Sequence, residues 1–141
     1  MDYPKDDFSG LKMSYRLQGA YSPYKYIQVE ISGTGEAKLT YELYQENLTA
    51  GREKEGSVTF RINESRIKEL GSLYEKADFL NLKINDLNKS QIVVTDVGTT
   101  ALTYSYAGKE RKLSYGYVEN NPLEGLIKSY WQIAQDYLPK R

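Results

Sequence analysis

Three observations predict an α+β fold. Apolar and polar residues alternate through several short runs, Gly-bearing turns separate those runs, and two stripes at helical spacing follow blocks of strands. Blocks of strands joined by tight turns require antiparallel pairing, because a parallel neighbour needs a long crossover. The expected architecture is a single antiparallel sheet of about seven strands with two helices on one face, in the order ββββαβββα.

The elements follow in chain order. Residues 1–10, beginning Met1-Asp2-Tyr3-Pro4, read as a flexible leader, and residues 11–141 as one domain. In 11–18, Leu11, Met13, Tyr15 and Leu17 share one face of a half-buried strand. Gly19 to Pro23 breaks it. A second strand, 24–32, turns Ile27, Val29 and Ile31 inward and Tyr26, Gln28 and Glu30 outward. Gly33-Thr34-Gly35 signals a hairpin into a third strand, about 37–45, with Leu39, Tyr41 and Leu43 inward. The expected register sets Ile31 opposite Leu39 and Val29 opposite Tyr41, with a three-residue loop. A charged loop over 46–56 leads to a fourth strand, 57–62, with Val58, Phe60 and Ile62 inward.

Asn63 can cap a helix of about 64–77 that carries Ile67, Leu70, Leu73, Tyr74 and Ala77 on one side. Asp78-Phe79-Leu80 then supplies an apolar anchor. A polar loop over 83–90 precedes strands at about 91–97, 100–107 and 110–117. The last two join through Ala107-Gly108-Lys109-Glu110, with Tyr104 expected opposite Leu113 and Tyr106 opposite Arg111. Asn121-Pro122-Leu123-Glu124 reads as an N-cap, a first-turn Pro and a Glu three residues after the cap. The helix it starts runs to about Leu138. Its stripe is Leu123, Leu126, Ile127, Tyr130, Ile133, Ala134 and Tyr137, with Trp131 beside it.

Composition excludes several chemistries. The 141 residues contain no His and no Cys, so a zinc site of the usual kind, a Cys nucleophile, a Ser-His-Asp triad and a disulfide are all ruled out. Nineteen basic residues against nineteen acidic ones argue against a nucleic-acid partner, which asks for a basic face. No apolar run approaches the length of a membrane span. Fourteen tyrosines suit half-buried sheet faces, where a ring packs and its hydroxyl finds a partner.

Several motif fragments have a simpler structural explanation. Ser65-Arg66-Ile67-Lys68 has the Ser-x-x-Lys spacing of penicillin-recognising enzymes without their other motifs, so it reads as a solvated helix start. Gly33-Thr34-Gly35-Glu36-Ala37-Lys38 precedes a strand, which leaves it no helix N-terminus to hold phosphate. Asp86-Leu87-Asn88-Lys89-Ser90 lacks the later Gly and Glu of a calcium loop. Asn47, Asn63 and Asn88 head Asn-x-Ser/Thr sequons, and Asn63 is better explained as a cap. No metal site and no cofactor are expected.

Two features remain as candidate sites. Asp96 ends an apolar strand, where burial could raise its pKa for acid–base work, although capping of the strand end or of a turn over Val97-Gly98-Thr99 accounts for it better. Tyr21, Tyr24 and Tyr26 cluster around Ser22-Pro23 and form the candidate binding surface.

The chain also resembles a family of short bacterial domains of unknown function found in exported proteins and lipoproteins. Gly33, Gly35 and Tyr41 in the first hairpin, the step Ala77-Asp78-Phe79, and Thr95-Asp96 carry the resemblance. So do Leu102-Thr103-Tyr104 with Gly108-Lys109, and Pro122-Leu123 with Leu126. Members commonly carry a cysteine pair before a Pro where this chain has Gly19 to Tyr24 without Cys, so no disulfide is implied there. The resemblance implies an extracytoplasmic setting, periplasm or cell surface, with a cytoplasmic setting as the alternative. The reading reached is a non-enzymatic interaction module with a protein or glycan partner. The alternatives are a small carboxylate hydrolase using Asp96, or a structural domain that forms a homodimer through a sheet edge.

Overall fold

A computed structural model of the chain describes residues 2–20, 23–44, 54–83, 97–116 and 122–138. It is an α+β structure with one antiparallel sheet and two helices. The elements are β1 (Lys12–Ala20), β2 (Tyr24–Ser32), β3 (Glu36–Leu43), β4 (Glu55–Arg61), α1 (Glu64–Lys76), β5 (Val97–Tyr106), β6 (Lys109–Tyr115) and α2 (Glu124–Tyr137). The sheet order is β4-β3-β2-β1-β5-β6. Among the described residues there are six strands, not seven. The strand expected over 91–97 lies outside the described residues except for Val97, which opens β5.

β1 occupies the middle. Met13 sits between Ile31 and Tyr104, and Tyr15 between Val29 and Leu102. These residues, with Leu39, Tyr41 and Leu43 of β3, are buried under both helices. From the helices come Ile67, Leu70 and Tyr74 of α1 and Leu126, Tyr130 and Ile133 of α2. Apart from Tyr26, Tyr44 and Ala101, the described side chains on the opposite face are polar or charged. One buried and one wetted face is the usual arrangement for an antiparallel sheet.

Two hairpin registers differ from expectation by two residues. β2 and β3 pair Ile31 with Ala37 and Val29 with Leu39, so the loop is Gly33-Thr34-Gly35. Gly35, at φ 101°, donates its N–H to the Ser32 carbonyl at 2.9 Å. β5 and β6 pair Tyr104 with Arg111 and Leu102 with Leu113. Their turn centres on Ala107 (φ 53°) and Gly108 (φ 80°), both left-handed, as the twist of a two-residue hairpin favours. A shift of two preserves the side-chain face, so the buried set is unchanged.

The helices are stopped by local chemistry. The Asn63 side chain accepts the Arg66 N–H at 2.9 Å and so caps α1. At the other end Asp78 takes φ 48°, and its N–H reaches the Glu75 carbonyl while that of Phe79 reaches Tyr74. This pair of bonds is a Schellman motif, completed by an edge-on contact between the Phe79 and Tyr74 rings. α2 starts at Glu124, two residues later than expected. Leu123 precedes it without a side-chain cap, and Asn121 lies outside the described residues.

The core is aromatic, and the hydroxyls of Tyr15, Tyr74, Tyr104 and Tyr130 are paired across elements. Tyr74 Oη bonds the Thr103 carbonyl at 2.9 Å and Tyr130 Oη at 2.7 Å. A carbonyl only accepts, so Tyr74 donates to it and takes the Tyr130 proton. Trp131 Nε1 donates to Tyr15 Oη at 2.8 Å. Residues 2–10, expected to be a leader, lie along this core. Pro4 and Phe8 are buried, Tyr3 Oη accepts the Leu80 N–H and donates to Asp78, and Tyr104 Oη donates to the Asp2 carbonyl. A Cβ on Gly33 would come 1.5 Å from the Phe8 carbonyl oxygen, so only Gly fits beneath this segment.

Gly33→Ala is expected to destabilise the protein by about 1–3 kcal/mol, the usual range for overpacking, and to lower Tm. In a chain beginning at Gly10 the same change should have much less effect. Equal losses in both backgrounds would refute the docked position of Phe8.

Burial pushes Tyr3 up to about 12 and raises Tyr15, Tyr74, Tyr104 and Tyr130 further. The unfolded chain ionises near 10, so these tyrosines contribute their full stability below that pH and lose it as pH rises towards the folded values. Urea midpoints should stay level in this respect up to about pH 10. Above it, stability should fall by about 1.4 kcal/mol per pH unit for each of the deeply buried Tyr15, Tyr74 and Tyr130, and by less for Tyr3 and Tyr104, which solvent partly screens. Complete phenolate absorbance near pH 10 in a chain that remains folded would contradict the burial.

Candidate functional site

The open face of the sheet is where the described structure presents side chains without covering them. Its character follows from the alternation in β1. If Met13 and Tyr15 face the helices, Lys12, Ser14 and Arg16 must face away. Ser14 and Thr103 hydrogen-bond to each other across β1 and β5. A groove of about 700 Å³ crosses β1 to β5 on this face, with Lys12, Ser14, Glu30, Lys38 and Thr59 among its lining side chains. Lys12 and Lys38 have no ion-pair partner among the described residues.

At the other end of the face a β-bulge in β2 reorganises the surface. Tyr24 pairs with Leu43, and Tyr26 pairs with Glu42, so Lys25 is an extra residue on the bulged strand. Without the bulge, Tyr24 and Tyr26 would share a face. With it, Tyr24 packs on the core and meets the Tyr41 ring edge-on at 6.0 Å. Tyr26 lies on the outer face, and Lys25 reaches the Glu42 carboxylate there at 3.4 Å.

Arg16 completes this corner. Its guanidinium carbon lies 4.3 Å from the centre of the Tyr26 ring. Nε donates to Gln18 Oε1 and Nη1 to Gln28 Oε1, both at 2.8 Å. A pocket of about 360 Å³ opens here, lined by Arg16, Gln18, Gly19, Lys25, Tyr26 and Tyr44. Gly19 holds φ 73° at its wall, a conformation that a side chain would strain.

The structure therefore does not unite the three tyrosines of the candidate surface. Tyr24 and Tyr26 are on opposite faces, and Tyr21 lies outside the described residues, as does Asp96. The Ser-x-x-Lys fragment is engaged in helix-start contacts: Ser65 Oγ donates to Asn63 at 3.3 Å, and Lys68 pairs with Glu64 at 3.5 Å. Among the described residues no three acidic side chains are grouped to hold a metal ion, and no helix is long and apolar enough to cross a membrane. Arg16 was missed in the sequence. Its only signal there was its outward position in β1, with Gln18 two residues along the same strand and Gln28 opposite in β2.

Compared with known protein families the chain matches none, and no curated protein matches it.

Tyr24→Ser should destabilise the protein by about 1–3 kcal/mol through lost packing, whereas Tyr26→Ser should stay within about 0.5 kcal/mol of the parent. Urea denaturation of both variants checks this. Equal effects would contradict the bulge.

Proposed function

We propose that this chain is a non-enzymatic interaction module of the bacterial cell envelope that meets a protein partner through the open face of its sheet. The observation that carries this reading is the one-sided packing. Both helices cover one face, and the other presents a groove lined by β1 to β5. A protein is favoured over a glycan. The outward side chains of the groove are charged with both signs, which suits a complementary charged surface, and none is an aromatic ring on which a sugar could stack. The sequence resemblance to exported domains supports the envelope setting.

The test is photo-crosslinking in the source cells, with a reactive residue at Thr59 in the groove or at Lys128 on the exposed side of α2, followed by fractionation. A discrete adduct in the envelope fraction is expected from position 59 alone, and Lys12→Glu with Lys38→Glu should reduce it about tenfold or more, given the cost of like-charge contacts. Adducts from position 128 alone, or a cytoplasmic adduct, would overturn the reading.

A further inference from the structure

We infer that the Arg16 pocket binds a small oxyanion, the carboxylate or phosphate of a ligand whose body lies against Tyr26 and Tyr44. The inference does not rest on the docking groove, which is a separate cavity at the other end of the face.

Three observations converge on it. First, the half-buried Arg16 has no carboxylate partner among the described residues. Its hydrogen-bond partners are two glutamine carbonyls, which orient a guanidinium without neutralising it. Second, those bonds use Nε and one Nη1 hydrogen, so the Nη2 hydrogens and the second on Nη1 have no acceptor among the described residues. A planar fork of this kind matches two oxygens of one anion, and charge-assisted bonds of this type are the strong ones. The Tyr26 ring beneath the guanidinium restrains its plane. Third, the bulge turns both Lys25 and Tyr26 into the pocket wall, and bulges characteristically re-aim side chains at sites. Lys25 is satisfied by Glu42, so Arg16, Lys25 and Glu42 together leave one positive charge at the pocket. Glu55, opposite Glu42 on β4, does not line it. A volume of about 360 Å³ is at the small end of ligand pockets and suits an acid with a compact body.

The test is NMR titration of the full chain with sodium phosphate and, separately, sodium acetate, with ionic strength held constant by chloride. The Arg16 Nε–H and the Gln18 and Gln28 side-chain amides are followed. Saturable shifts with at least one anion are expected. Phosphate alone, acetate alone, or both would assign the class as phosphate, carboxylate, or either. Arg16→Gln should abolish saturation. Arg16→Lys, which keeps the charge and loses the fork, should weaken it about tenfold. Lys128→Gln, on the exposed side of α2, should leave it within about twofold, the sensitivity expected of a distant, screened charge. If Arg16→Gln does not fold, Arg16→Lys decides. No saturation with either anion, or unchanged saturation in a folded Arg16 variant, overturns the inference.

Discussion

β1 has a neighbour on each side, so the side chains it turns towards the helices decide the face of every other strand. Met13 and Tyr15 meet apolar or aromatic partners in both β2 and β5, whereas Ser14 meets Glu30 and Thr103, and Arg16 meets Gln28 and the small Ala101. A slip of one residue would drive Lys12 and Arg16 into the core and expose Met13 and the Tyr15 ring, both fully buried. The hydrophobic core and the polar outer face are thus two results of one alternation. Whatever the outer face binds, its layout is protected by the energy of the inner face.

The inner face is built from rings that carry polar atoms, and this sets a second constraint. A buried hydroxyl without a partner is costly, and Tyr15, Tyr74, Tyr104 and Tyr130 dock where their oxygens are met. Tyr74 and Tyr130 meet each other and a β5 carbonyl, and Tyr15 meets Trp131. These bonds join α1 to α2, and α2 to β1, with directional contacts that a purely aliphatic core lacks. Tyr104 extends the same logic to Asp2, fastening the start of the chain to β5.

The strands were legible because period-two alternation depends only on burial of one face, and Met13, Val29, Leu39 and Leu102 all obey it. The start of α1 was legible because Asn63 acts within one turn of its own position. What escaped was set by tertiary geometry. Hairpin registers depend on which residues accept positive φ, and Ala107 does so here despite its side chain. The bulge at Lys25 has no mark in composition, yet it separates Tyr24 from Tyr26. The docking of Phe8 depends on a gap above Gly33 that only the folded sheet creates. Of the candidate site, the outward position of Tyr26 could be read from alternation. The orientation of Arg16 could not, because it depends on glutamines from two strands.

The central position of β1 also bears on how the protein is made. Ser14 and Thr103, hydrogen-bonded neighbours in the sheet, are 89 residues apart in the chain. During synthesis β1 can pair with β2 at once, but its other edge stays open until β5 leaves the ribosome, roughly 5–20 s later at ordinary rates of elongation. Through that interval the nascent chain presents a free strand edge alongside uncovered Met13 and Tyr15, the combination most open to pairing with the wrong chain. A central strand made first and completed late therefore favours a chaperone or a slow, guarded release over rapid spontaneous folding.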